Sequence, residues 1–408
     1  MIAVKGRPLH LLAGLLIGLI AGIATSGRTQ EWVGKILLPI GSLWLDALTM
    51  TVVPLIFGLL VTGIASASRN AAAGSIATRA LILFALMLAA ASVTAALLAE
   101  GLLRLWPVTQ GLAEAGSTSP PPISQSEWFR GIIPANPLKA AAETAMVPLV
   151  TFAIFFGFAI SRISTDLADP LLGLLRGLVE TMLIIVGWVL AVAPVGVAAL
   201  AFGAGAKLGV GVVGAFAQYV AVVIACCLAA TLLAYIWAAM AGGRSPLRFG
   251  RSALAAQAVA LGTQSSLATL PVMVDAAREL DVPEETTAIV LPMAVSLFRA
   301  ASVAANVAVT IYLGHMHGIF PGAATLALIA LVAVPISLGA VGLPAQISFF
   351  ATIAPVCIAA GIPVTALPLL LAIEAIPDLF RTVGNVTNDL AAACAIRPKP
   401  SLSAEQIP

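Results

Sequence analysis

Residues 371–393 read LAIEAIPDLFRTVGNVTNDLAAA. Within them Glu374, Asp378, Arg381, Thr382, Asn385 and Asp389 recur at spacings of 4, 3, 1, 3 and 4. At about 100° per residue these positions fall within roughly one third of a helix circumference and form one polar stripe. Facing lipid, each charge costs at least about 2.5 to 3.5 kcal/mol at the helix centre, so the stripe has to face a cavity lined by protein.

The chain around this stretch is a membrane chain. Its 408 residues are 61% apolar and 9% charged, whereas soluble domains carry about 25% charged residues; the mean hydropathy is +1.08. Apolar runs at roughly 8–25, 36–66, 77–106, 146–162, 176–203 and 211–241 favour spanning helices, which need about 20 residues, over barrel strands of about 10. The first run follows Lys5 and Arg7 and is expected to be a retained helix, because no small-residue cleavage site precedes a soluble domain. Basic residues cluster at Lys5/Arg7, Arg69/Arg79, Arg244/Arg248/Arg251 and Arg397/Lys399, which predicts that those loops and both termini face the cytoplasm.

Other function classes find little support. A net charge of +2 argues against nucleic acid. Cys226, Cys227, Cys357 and Cys394 lie in apolar helices without ligand spacing and read as buried fillers. His315 and His317, near a helix end, read as interfacial rather than as a ligand pair. No metal site or cofactor is expected, and Ser265 and Ser266 have no nearby histidine, so the chain is not expected to be an enzyme.

After Arg251 the apolar segments break at membrane depth, at "GTQSSLATLP" and again at "ISLGAVGLP", each followed by a helix with polar residues. Backbone leaves helix inside a bilayer only where protein buries it or it lines a cavity. Two such breaks in corresponding places are the mark of inverted repeats enclosing a binding site near the midplane. Within the stripe, Arg381 offers a planar fork for a carboxylate, and Asp378 can accept from an ammonium group. Together they suit an acidic amino acid; alternatively the two neutralise each other at i and i+3.

The motifs "MTVVPLIFGLLVTGIAS", "IIPANPLKAAAETAMVPLVTFAIFFG", "APVGVAALA", "TQSSLATLP", "SLGAVGLP" and "EAIPDLFRTVGNVTNDL" resemble those of the dicarboxylate/amino acid:cation symporters. That family includes bacterial and archaeal glutamate and aspartate transporters and the human excitatory amino acid transporters. The resemblance implies an all-α polytopic fold of eight transmembrane helices and two re-entrant hairpins, assembled as a homotrimer in the lipid bilayer and working as an elevator. It implies a scaffold of residues 1–75 and 107–241, a transport domain of residues 76–106 and 242–397, and a cytoplasmic tail of residues 398–408. It also implies that Ser265 and Ser266 of the first hairpin tip and Leu343 of the second enclose the substrate. Asp378 would hold its ammonium group, Arg381 with Ser302 its side-chain carboxylate, and Thr382 and Asn385 the remaining polar atoms. C4-dicarboxylate carriers of this kind tend to lack an acid at the position of Asp378, and neutral amino acid carriers tend to lack the arginine, so aspartate or glutamate is favoured. Phe380 stands where the family usually has a small residue, and either tightens the pocket or packs against a helix.

The family's Asn-Met-Asp-Gly-Thr motif, which helps bind sodium, aligns with Phe298-Arg299-Ala300-Ala301-Ser302. A third-helix cluster of sodium-binding hydroxyls is replaced in "LILFALMLAAAS", and a hairpin threonine aligns with Ala340. A hard cation needs about six oxygens, and these cages have lost theirs. Arg299, expected on a helix face with Ser296, Ser302 and Asn306, is read as a tethered cation that neutralises an ion-site acid, with Asp389 the first choice. A fixed charge supplies no driving force, so protons are the expected coupling ion, carried by Glu374, Asp378, Asp389 or the substrate. The eukaryotic proton-carrying glutamate aligns with Asn306, which closes that route. The expected function is sodium-independent, proton-coupled import of aspartate or glutamate. The alternatives are a sodium symporter with a reduced set of sites, retaining Asn385 and Asp389, and an uncoupled facilitator or C4-dicarboxylate carrier.

Overall fold

The computed structural model describes residues 7–25, 30–72, 74–108, 132–208, 211–339 and 345–396. In chain order the helices are α1 (Arg7–Ala24), α2 (Gln30–Thr49), α3 (Val52–Ala72), α4 (Ser75–Leu105), α5 (Pro137–Ala142), α6 (Met146–Ile160), α7 (Thr165–Ala191), α8 (Ala193–Leu208) and α9 (Gly211–Met240). They continue as α10 (Pro246–Thr263), α11 (Ser266–Glu279), α12 (Glu284–Leu297), α13 (Ala300–Met316), α14 (Ala323–Gly339), α15 (Ala345–Ala359), α16 (Leu367–Ile373) and α17 (Ala375–Ala395). Among the described residues five helical stretches are long and apolar enough to cross a membrane: Pro39–Arg69, Ser75–Leu105, Thr165–Ala191, Gly211–Met240 and Glu284–Met316.

Two groups of helices pack mainly within themselves. In one, α1 and α2 lie on α8, and α3 lies on α6 and α7. Gly14, Gly18 and Gly22 bring α1 against the carbonyl oxygens of Pro194, Ala198 and Phe202, where any side chain would overlap the backbone. This is the close helix approach that small residues at every fourth position permit in a membrane. In the other group α4, α9, α13 and α17 pack on one another, with α10 and α11 against α17. The α14/α15 hairpin touches both groups, through α13 and α4 on one side and α3 on the other.

Local chemistry places the breaks. Ser245 caps α10, its hydroxyl accepting from the Arg248 N–H at 3.3 Å with Pro246 in the first turn, a placement that leaves fewer orphan donors. The helix stops at Gln264, whose φ of 52° is left-handed, and Ser265 then caps α11 by accepting from Ala268 at 3.2 Å. The run of residues 284–316 is not one continuous helix: Phe298 (φ −111°, ψ 114°) and Arg299 (φ −136°, ψ 64°) are extended between α12 and α13. Arg299 therefore sits at a break and does not share a continuous helix face with Ser296, Ser302 and Asn306. Likewise the apolar run 176–203 divides at Val192, between α7 and α8.

Candidate substrate and coupling site

The polar stripe lies on α17 and at the junction before it. Glu374, Asp378, Arg381, Thr382, Asn385 and Asp389 are all buried. Three elements converge on this helix: the α10/α11 tip, the α12/α13 break and the middle of α9. The tip reaches it through Gln264, whose amide nitrogen donates to the Ala375 carbonyl at 3.4 Å. The break is joined to it by a reciprocal pair, Ser302 N–H to Asn385 Oδ1 at 3.1 Å and Asn385 Nδ2 to Ser302 Oγ at 2.9 Å. Gly384 allows the close approach, since a Cβ there would lie 2.6 Å from that of Ala301.

Arg381 makes a buried ion pair with Glu374, while its Nη1 lies 3.8 Å from Asp378 Oδ1. Tyr219 of α9 donates its hydroxyl to the other Glu374 oxygen at 2.5 Å. Arg381 Nη2 is engaged in the Glu374 ion pair, whereas its Nε has no hydrogen-bonded acceptor among the described residues, so one edge of the fork keeps a donor for a ligand. Thr382 donates to the Asp378 carbonyl at 2.9 Å. Ser265 and Ser266, at the tip, are half-buried. Leu343 and Ala340 lie outside the described residues, so the second hairpin tip adds nothing here.

At the break, the Phe298 ring stacks on Phe84 of α4, with centroids 4.7 Å apart and planes 7° from parallel. Both are buried. Arg299 is half-buried, and the carboxylates of Asp378 and Asp389 act on its charge as attractive partners while Arg381 repels it. Asp389 has no exposed surface, and neither of its carboxylate oxygens accepts a hydrogen bond among the described residues. The charge that acts on it is Arg299.

This arrangement belongs to a chain whose sequence matches the profile of the sodium:dicarboxylate symporter family over residues 9–398. The chain is a member of the sodium:dicarboxylate symporter family. It is accordingly a transporter and not an enzyme. It is similar to the "Proton/sodium-glutamate symport protein" of Bacillus caldotenax, 26% identical over 95% of this chain and 93% of that one. It is similar also to the "Proton/glutamate-aspartate symporter" of Escherichia coli K12, 25% identical over 95% and 91% of the two chains. The "C4-dicarboxylate transport protein" of Rhodospirillum rubrum is 24% identical over 95% and 87%.

Two residues of this symporter-family chain, Tyr219 and Glu100, carry charge or hydrogen bonds that sequence reading passed over. Tyr219 gave no signal in an apolar run, yet it holds Glu374. Glu100 of α4, also unremarked, lies 2.8 Å from His315 Nε2 through one oxygen and accepts from Arg104 Nε at 2.7 Å through the other. His315, expected at the interface, is instead buried, because α13 is covered along its whole length. The four cysteines are buried, as their apolar settings implied.

Proposed function

We propose that the chain imports aspartate or glutamate across a bacterial inner membrane, without sodium and driven by protons, as a homotrimer with both termini cytoplasmic. In this reading the arrangement is the family's eight helices and two hairpins. The substrate's side-chain carboxylate binds Arg381, its ammonium group binds Asp378, and its main-chain carboxylate meets Ser265 and Ser266 at the start of α11. Ser302, Thr382 and Asn385 order the polar wall, and Leu343 belongs to the closing tip. The unpaired Nε donor of Arg381 supports this assignment, as do the relatives named for glutamate and aspartate transport. A C4-dicarboxylate would bring no ammonium group to Asp378 and would leave a carboxylate facing it.

The observation that carries sodium independence is Arg299 acting on Asp389 beside the Phe84–Phe298 stack. Where the family resemblance calls for oxygen ligands and a mobile cation, this chain has two phenyl rings and a guanidinium. An arginine stays charged in proteins, so it neutralises the acid in both empty and loaded states. The second reading, a sodium symporter using Asn385 and Asp389, draws on the Asp389 oxygens that lack hydrogen bonds.

For elevator transport the packing suggests that α1–α3 and α5–α8 form the scaffold and that α4 and α9–α17 move. This assigns residues 211–240 to the moving part, because α9 packs chiefly on α17, α13 and α4, whereas sequence reading had grouped them with the scaffold. Phe380 is half-buried against the apolar core, which supports a packing role. The test is uptake of labelled aspartate into proteoliposomes under an inward proton gradient without sodium. Accumulation supports the proposal, and an absolute requirement for sodium defeats it.

A further inference from the structure

We infer that Glu374 is the residue that carries the transported proton, by exchanging its guanidinium partner for a proton each time substrate binds; the inference rests on the proposed function. The site holds three buried carboxylates, Glu374, Asp378 and Asp389, with the buried guanidinium of Arg381 and the half-buried one of Arg299. Glu374 shares Arg381 with Asp378, at the ion pair itself and at 3.8 Å respectively. An acidic amino acid adds two carboxylates and one ammonium. The ammonium satisfies Asp378, the start of α11 receives the main-chain carboxylate, and Arg299 stays with Asp389. The remaining substrate carboxylate needs Arg381, which Glu374 already occupies.

The guanidinium thus changes partner, and Glu374 is left buried without a counter-charge. A buried carboxylate in that position takes up a proton, because an uncompensated charge in low dielectric is far costlier than a neutral acid. The groups facing Glu374 are Arg381 and Asp378 on α17 and Tyr219 on α9, with Cys227 of α9 interacting with Arg381. Among these Tyr219 is the positioning residue: its hydroxyl, 2.5 Å from Glu374 Oε2, keeps the acid beside α9 once Arg381 has left. The proton enters from the outer solution as substrate binds. It leaves to the cytoplasm when substrate dissociates and Arg381 pairs with Glu374 again. One proton accompanies each substrate, and the net charge of the buried site is the same empty and loaded.

The test is aspartate binding to the purified protein in sodium-free, weakly buffered solution with a pH-indicator dye. About one proton taken up per aspartate is expected, with affinity weakening towards tenfold per unit as pH rises, since binding and protonation are linked. Glu374→Gln is expected to bind aspartate with a pH-independent affinity and no proton uptake, and to catalyse exchange without accumulation under a proton gradient. Proton uptake by Glu374→Gln equal to that of the wild type overturns the inference. If that variant fails to fold, the wild-type profile decides: a pH-independent affinity with no proton uptake also overturns it. Failure of wild-type binding without sodium defeats instead the reading on which the inference rests.

Discussion

Asn385 of α17 and Ser302 at the start of α13 exchange two hydrogen bonds beside the α12/α13 break, at 3.1 and 2.9 Å. One of them satisfies the Ser302 N–H in the first turn of α13, a donor that has no partner within its own helix. Asn385→Ala leaves that buried donor unpaired, at a cost of about 1–3 kcal/mol. The melting temperature and the aspartate affinity are both expected to fall, measured by thermal unfolding and by titration. Asn385→Asp keeps the acceptor and is expected to recover part of the stability.

Asp378 sets the substrate class. Replacing it with Ser removes the acceptor for an ammonium group, and hydrogen bonds to charged groups are worth about 1.5–3 kcal/mol. Aspartate affinity is expected to drop by roughly tenfold or more, while succinate or malate gains. Competition against labelled aspartate measures both, and an unchanged preference refutes the assignment.

Arg299→Met leaves Asp389 buried without its charge partner, and breaking a buried pair typically costs about 3–5 kcal/mol. Impaired binding is expected, without a gain of sodium dependence, because Phe298 and Phe84 remain stacked and supply no oxygen. A variant made sodium-driven by this single change places the ion site elsewhere.

Glu100→Ala separates stability from coupling. It leaves His315 buried without its partner and releases Arg104, so thermal stability is expected to drop by about 1–3 kcal/mol. His315 is 16 residues from Arg299 along α13, about 24 Å at 1.5 Å per residue. The pH dependence of aspartate affinity should therefore remain that of the wild type. A flattened pH profile in Glu100→Ala transfers the proton-carrying role to this pair.

The periodicity of Glu374, Asp378, Arg381 and Asp389 made the stripe legible, because charge is too expensive in lipid to occur without a cavity. The break within GTQSSLATLP was legible because its residues are polar at membrane depth, and the structure adds the caps that Ser245 and Ser265 supply on either side of α10. The break at Phe298–Arg299 was hidden because its neighbours are apolar, and what holds it open is tertiary, namely the stack on Phe84 and the bonds from Asn385. Glu100 and His315 are 215 positions apart, and no local pattern announces such a pair. The environment of α9 was equally silent: it is apolar on every face, so its composition does not say which helices it meets.

The central claim is that a fixed guanidinium does the structural work of a bound cation. Equilibrium titration of the wild-type protein with aspartate, with and without saturating sodium at several pH values, tests it most directly. The account predicts the same affinity with and without sodium at each pH, weakening as pH rises. An affinity that sodium strengthens by orders of magnitude, and that pH leaves unchanged, contradicts it.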